Sequence, residues 1–376
     1  MKPYHDRALI RVLSSLFLAW AMSDAIAADD AALKDVFKDH FLVGAALNQF
    51  QFTGHAPSDD AIVERQFNAI SPENVLKWES VHPHPGHYNF DSADKYVDFG
   101  LAHHMFVVGH NLVWHSQTPG WVFKDDKGDP LTRDALLARM RDHISTVVGR
   151  YKGKINGWDV VNEALNEDGS LRKSPWEKII GDDYLLHAFQ FAHEADPNAE
   201  LYYNDYSIEN PAKRAGAIAL IQKLKSEGAP ISGVGLQGHY DLTWPSVQLL
   251  DEALHDFSRL GLKVMITELD VDVLPRRGSA HSADISNHAE MSAGLNPYTN
   301  GLPSDIQEKL AARYADLFRV FVKHKEISRV TFWGVTDRGS WLNGFPVRGR
   351  TNYPLLFDRN GQPKPAFTAV IQTASP

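Results

Sequence analysis

Cysteine is absent from all 376 residues. No disulfide and no thiol chemistry is available, so stability has to come from core burial, which a chain of this length can supply. Long apolar runs are also missing. The run at residues 12–22 is well short of the roughly 20 residues that a membrane-spanning helix needs. It follows Lys2, Arg7 and Arg11 and precedes Ala25-Ile26-Ala27, the pattern of a secretory signal peptide over residues 1–27. A secreted or periplasmic protein is expected, with no stable membrane association once the leader is removed. Basic charge is scarce as well: the formal net charge is −9, which argues against nucleic acid as a partner. Linkers rich in proline, serine or threonine, low-complexity tracts and close repeats are not found, so residues 28–376 are expected to form a single domain.

What is present is an alternation. Short apolar runs suited to buried strands recur at residues 41–47, 67–70, 105–112, 155–162, 200–204, 233–238, 263–268 and 329–334. Between them, helical periodicity covers residues 91–103, 133–151, 176–195, 212–227, 246–260 and 304–325. Alternating strands and helices imply a parallel sheet. Eight such units, with no glycine-rich phosphate loop after the first strand, predict an α/β fold of the (β/α)8 TIM-barrel type with long βα loops rather than an open doubly wound sheet.

In such a barrel the active site lies where the strands end, so the residues closing each apolar run are the informative ones. The second run leads into Glu73-Asn74 and then Lys77, the third into His110, Trp114 and Gln117, and the fourth into Asn162-Glu163. The later runs end in Asn204-Asp205-Tyr206, Gln237-Gly238-His239, Glu268-Leu269-Asp270, and Trp333 followed by Trp341. Indole faces beside amides and carboxylates suit a pyranose ring, which offers an apolar C–H face and a girdle of hydroxyls. Cleaving a glycosidic bond requires two carboxyl groups. Glu163 and Glu268 emerge directly from apolar strands, where desolvation perturbs proton affinity. Residues two apart on a strand share a face, which predicts a hydrogen-bonded chain from Glu268 through His239 to Asp270. The same rule puts Asn162 and Glu163 on opposite faces, so bringing both into one site requires a bulge or the end of regular strand geometry.

The stretches 71–78, 110–117, 158–165, 267–271 and 332–337 resemble family-10 glycoside hydrolases, the barrel-fold endo-β-1,4-xylanases, and the similarity runs from about Leu33 to Phe367. The resemblance implies a retaining hydrolase of xylan and xylo-oligosaccharides with Glu163 as acid/base, Glu268 as nucleophile and Asn162 as partner of the sugar 2-hydroxyl. It further implies that Lys77, His110, Gln237 and Trp333 enclose the sugar at the cleavage point, with Trp341 closing over it. Glu73, Asn74, Trp114 and Gln117 would lie toward the next sugar on the non-reducing side, and Tyr206 would be the stacking surface for the leaving-group sugar. His239 and Asp270 would support the nucleophile. No metal or cofactor is implied, and a monomer is expected.

Three alternatives stand beside this reading. A metal-dependent barrel hydrolase is suggested by 18 histidines, among them His82, His84 and His87, but the first strand ends in Ala45-Ala46-Leu47-Asn48 rather than a His-x-His pair. A carbohydrate-binding protein on an inactive scaffold is opposed by the presence of both glutamates and His239. Within the enzyme class, the alternative is a preference for short xylo-oligosaccharides or a mixed xylanase and β-1,4-glucanase activity. The segment at 274–303 is long for the family and lies beside Glu268; loops of that length are usually functional or mobile. Arg348 and Arg350, in the loop after the last strand, are expected to be solvated or structural, with contact to acidic sugar substituents as the alternative.

Overall fold

The computed structural model describes residues 31–276, 283–292 and 294–374. The leader expected at 1–27 lies outside the described residues. Eight staves close into a parallel barrel: β1 (Leu42–Leu47), β2 (Ala69–Pro72), β3 (Phe106–Trp114), β4 (Gly157–Asn162), β5 (Glu200–Asp205), β6 (Gly233–Leu236), β8 (Lys263–Asp272) and β9 (Ile327–Phe332). Each pairs with its neighbour in sequence order, β6 pairs with β8, and β9 pairs with β1 to complete the ring. A three-residue strand, β7 (His239–Asp241), continues the sixth stave along the outer part of β8.

The expected single run over 233–238 is thus interrupted at Gly238, whose φ of 85° is open to glycine at little cost. The helix expected over 176–195 also divides, into Pro175–Ile180 and Tyr184–Ala195, because Gly181 at φ 103° ends the first piece. Helices Asp91–Ala102, Arg133–Arg150, Pro211–Ser226, Val247–Ser258 and Ser304–Phe321 fall where the periodicity placed them. Two helices that the sequence reading did not mark, Pro57–Gln66 and Pro365–Ile371, follow β1 and β9, each with proline in its first turn. Every stave therefore has a helix behind it.

The strands are buried on both faces, which is why they read as apolar runs without polar alternation. One continuous core packs the outward faces of the staves, including Val43, Val107, Val234 and Val330, against the helix faces carrying Tyr96, Ile144, Phe189 and Phe318. With one end of the barrel and its sides packed in this way, the polar strand ends are left together at the other.

Candidate active site

Glu163 stands one residue beyond β4 and is 4% exposed; Glu268 lies within β8 and is 5% exposed. Both line one cavity of about 130 Å³, together with Glu73, Asn74, Lys77, His110, Trp114, Gln117, Asn162, Gln237, His239, Trp333 and Trp341. The strand-end residues proposed from the sequence thus converge, with two exceptions: Asp270 sits behind His239, and Tyr206 is elsewhere.

Asn162 and Glu163 reach the same cavity by two local devices. The register of β4 shifts against β3 and, between Asp159 and Val161, against β5, as at a bulge. Glu163 then adopts a left-handed φ of 56°, and its N–H donates to the Asn204 carbonyl at 2.9 Å. For a non-glycine residue such a conformation costs on the order of 1–3 kcal/mol, which the surrounding hydrogen bonds must offset. Asn162 Nδ2 consequently donates to Glu163 Oε1 at 3.2 Å although the two are adjacent in sequence.

The two carboxylates have different surroundings. Glu163 Oε1 also accepts from Gln237 Nε2 at 3.0 Å, and Oε2 accepts from Trp114 Nε1 at 2.8 Å. All its donors are neutral. Burial is the main cause that lifts its pKa to about 7, and the charges of Asp205 and then Glu268 add to the rise. The desolvation expected from the sequence is thus the leading cause. Around Glu268, burial pushes upward too, but it is outweighed by the His239 hydrogen bond, by charge on His110 and His239, and by Asn204, so its pKa is lowered. His239 Nε2 lies 3.1 Å from Glu268 Oε2, and Nδ1 lies 3.1 Å from Asp270 Oδ1, while Trp341 Nε1 donates to Asp270 Oδ2 at 2.7 Å. Burial works against charging His239, yet Asp270 and Glu268 overcome it and push its pKa up to about 10, so the ring is an imidazolium that donates to both acids.

Asn204 joins the two halves. Its Nδ2 donates to Asn162 Oδ1 and to Glu268 Oε1, both at 2.8 Å, and Thr267 Oγ1 donates to its Oδ1 at 2.6 Å, which fixes the amide's orientation. Gly235 makes room for it: a Cβ there would sit 2.4 Å from Asn204 Oδ1. Sequence reading placed Asn204 at a strand end but gave it no role; the missing signal was the pairing of β5 with β6, which sets Gly235 opposite Asn204.

The remaining lining residues are held by their own partners. Lys77 Nζ donates to Asn74 Oδ1 at 2.9 Å and Gln117 Oε1 at 2.8 Å, with the Trp114 ring 5.0 Å away. Burial lowers the Lys77 pKa. His110 is oriented by Asp159, 2.9 Å from its Nδ1, and packs edge-on to Trp333. The cavity holds two proton donors or acceptors of opposite tendency inside an aromatic and amide wall, which suits acid-assisted displacement at a sugar carbon.

This chain matches the sequence model described as Glycosyl hydrolase family 10 over residues 32–373. The chain belongs to that family. Endo-1,4-beta-xylanase A of Xylanibacter ruminicola is 46% identical over 349 residues, covering 93% of this chain and 95% of the relative. A GH10 endoxylanase retrieved from a sugarcane soil metagenome superposes with a TM-score of 0.88 at 48% identity, covering 91% of this chain and 99% of the other. A mutant protein solved in complex with xylotriose gives a TM-score of 0.81 at 38% identity, with 91% and 99% coverage.

Against the family expectation, Tyr206 is no open platform. It is 2% exposed. The Lys213 ammonium lies 3.4 Å from the centre of its ring, and its hydroxyl accepts from Arg172 Nη2 at 3.1 Å. Arg350 is buried as well, donating to the carbonyls of Phe345 and Pro275 and lying 3.6 Å from Asp272, so it supports the roots of the long loop rather than meeting substrate. His82 is buried: it stacks on Tyr88 and faces His143 across 3.3 Å, whereas His84 and His87 are exposed. The long loop itself enters the site, since Ala283 and Ile285 line the catalytic cavity.

Proposed function

We infer that this family-10 chain is an endo-β-1,4-xylanase that cleaves internal xylosidic bonds with retention of configuration. The observation that carries the reading is the pairing, in one cavity, of a Glu163 protonated near pH 7 with a Glu268 kept ionised by an imidazolium. In the first step Glu268 attacks the anomeric carbon, the glycosidic C–O bond breaks, and the Glu163 proton passes to the leaving oxygen. In the second, water gives a proton to Glu163 and its oxygen to the anomeric carbon, and the ester to Glu268 breaks. Esterification removes the Glu268 charge and lowers the proton affinity of Glu163, which favours its change from acid to base. Asn162 serves the sugar 2-hydroxyl, and His239 with Asp270 holds the nucleophile.

Glu73 and Asn74 also line a second, larger cavity of about 960 Å³ that includes Asn48, Phe50, His55 and Arg338. Phe50 is 57% exposed there, an aromatic face available to a further sugar on the non-reducing side. The cleavage cavity alone is too small for an oligosaccharide, so this groove supports binding of a polymer segment. The apolar run and small-residue pattern at the start of the sequence support export of the enzyme after loss of residues 1–27.

A second reading, preference for short xylo-oligosaccharides, is favoured by the covered Tyr206. Early NMR of products from xylan, arabinoxylan, carboxymethylcellulose and xylohexaose tests both. Internal cleavage of xylan with the β-anomer formed first is expected. Release of xylose only, or the α-anomer first, contradicts the proposed activity.

A further inference from the structure

The long segment after β8 reaches across the mouth of the barrel. Ala283 and Ile285 line the cavity that holds both glutamates, and between them Asp284 Oδ2 lies 2.9 Å from Arg172 Nη1. Arg172 belongs to the connection after β4, where residues 165 and 171 form an isolated bridge. Its other terminal nitrogen donates to the Leu165 carbonyl at 3.3 Å and to the Tyr206 hydroxyl at 3.1 Å. One guanidinium therefore ties the loops that follow β4, β5 and β8.

The tie has the features of a built contact. Both side chains of the ion pair are largely buried, so it is less weakened by solvent and salt than a surface pair. Asp284 is preset by its own turn, in which Oδ1 accepts from Ser286 N at 3.0 Å and Ser286 Oγ at 2.6 Å. Downstream, Ala289 N donates to the Pro346 carbonyl, and the rings of His288 and Phe345 meet edge-on, which seats this segment on the loop after β9. Phe345 in turn stacks on Trp341.

We propose that the Asp284–Arg172 pair straps residues 283–285 over the leaving-group end of the cleft and sets how many sugars the departing segment can carry. The inference rests on the proposed xylanase activity, which assigns Tyr206 to that end. With the pair formed, residues 283–285 are held at the cavity edge and Arg172 at the Tyr206 hydroxyl, while Lys213 covers the Tyr206 ring independently of the pair. Release of the pair frees residues 283–285 from the loop after β4 and opens the cavity beside Tyr206 to a longer leaving segment.

The test compares xylohexaose labelled at its reducing end with an aryl β-xylobioside, whose leaving group contains no sugar. The Asp284→Ala change in the full chain is expected to raise the ratio of kcat/KM on xylohexaose to that on the aryl substrate by about three- to tenfold, the scale of one added sugar contact. Cuts in labelled xylohexaose should move away from the reducing end. Asp284→Asn, which keeps the turn to Ser286 but removes the charge, should shift the ratio in the same direction by less, and it decides the matter if the alanine variant does not fold. An unmoved or lowered ratio in folded variants, with the wild type active on both substrates, contradicts the strap alone. A wild type inactive on both substrates contradicts the xylanase reading and the strap with it.

Discussion

The two ends of the cleft are built differently. Beyond Glu73 and Asn74 the site opens into the groove of about 960 Å³, walled by residues that follow β1, β2 and β9. Toward Tyr206 it is closed by Arg172, Lys213 and the segment around Asp284. Glu163 and Glu268 between them stand one residue past a strand and on a strand, joined by hydrogen bonds that run through Asn204. The difference teaches that the chemistry is set by the barrel, whereas the length of chain admitted on each side is set by loops that can vary without disturbing it.

Changes at the centre should therefore affect every substrate alike, and changes at the ends should separate substrates. The largest effect is expected from Glu268→Ala: turnover is abolished on polymer and aryl substrate, as read by reducing-sugar and aryl-release assays. Glu163→Ala should cost about 10²- to 10⁴-fold on xylan, where the leaving oxygen needs a proton, and much less on aryl glycosides with good leaving groups, with azide restoring turnover. Equal losses on both would contradict the acid role. For the wild type, kcat/KM should fall as pH rises through about 7, because Glu163 then loses its proton, and this limb should vanish in the alanine variant.

The same titration predicts a stability effect. A carboxyl whose folded pKa lies above its unfolded value lends relative stability that is full below the unfolded value, near 4.5, and is lost as pH rises through about 7. Glu163→Gln cannot titrate. Between pH 5 and 8 the unfolding free energy of that variant should improve relative to the wild type by roughly 2 kcal/mol, measured by urea melts at both pH values. A parallel pH dependence would mean that Glu163 is not the group with the raised pKa. The smallest effect is expected at the open end: Phe50→Ala should lower the kcat/KM ratio of xylohexaose to aryl xylobioside by about three- to tenfold. No change in that ratio would remove Phe50 from the sugar path.

Much of this was legible before the structure. Strand-end logic gathered Glu163, Glu268, His239 and the lining residues, because buried parallel strands leave an uninterrupted apolar signature and end abruptly in polar residues. The approach of Asn162 to Glu163 was legible only as a conflict, since strand alternation forbids it and a left-handed φ cannot be read from a glutamate codeword in the sequence. Gly238 and Gly181 were visible as glycines, but nothing local said that they would break a stave and a helix. Asn204 and the Asp284–Arg172 pair were not legible in their roles, because each depends on partners 31 or more residues away that only the closed barrel brings together: Gly235 opposite Asn204, and Arg172 at a separation of 112. The covering of Tyr206 was not legible either: Lys213, in the helix that follows the same strand, lies on its ring, and Arg172 from the loop after β4 holds its hydroxyl.

Trapping the glycosyl–enzyme is the most direct measurement. The wild-type protein treated with an activated 2-deoxy-2-fluoro-β-xylobioside, then digested and analysed by mass spectrometry, should carry one glycosyl group on the peptide containing Glu268. An adduct on the peptide containing Glu163 instead, or full turnover with no adduct at any carboxylate, would contradict the assignment of the pair.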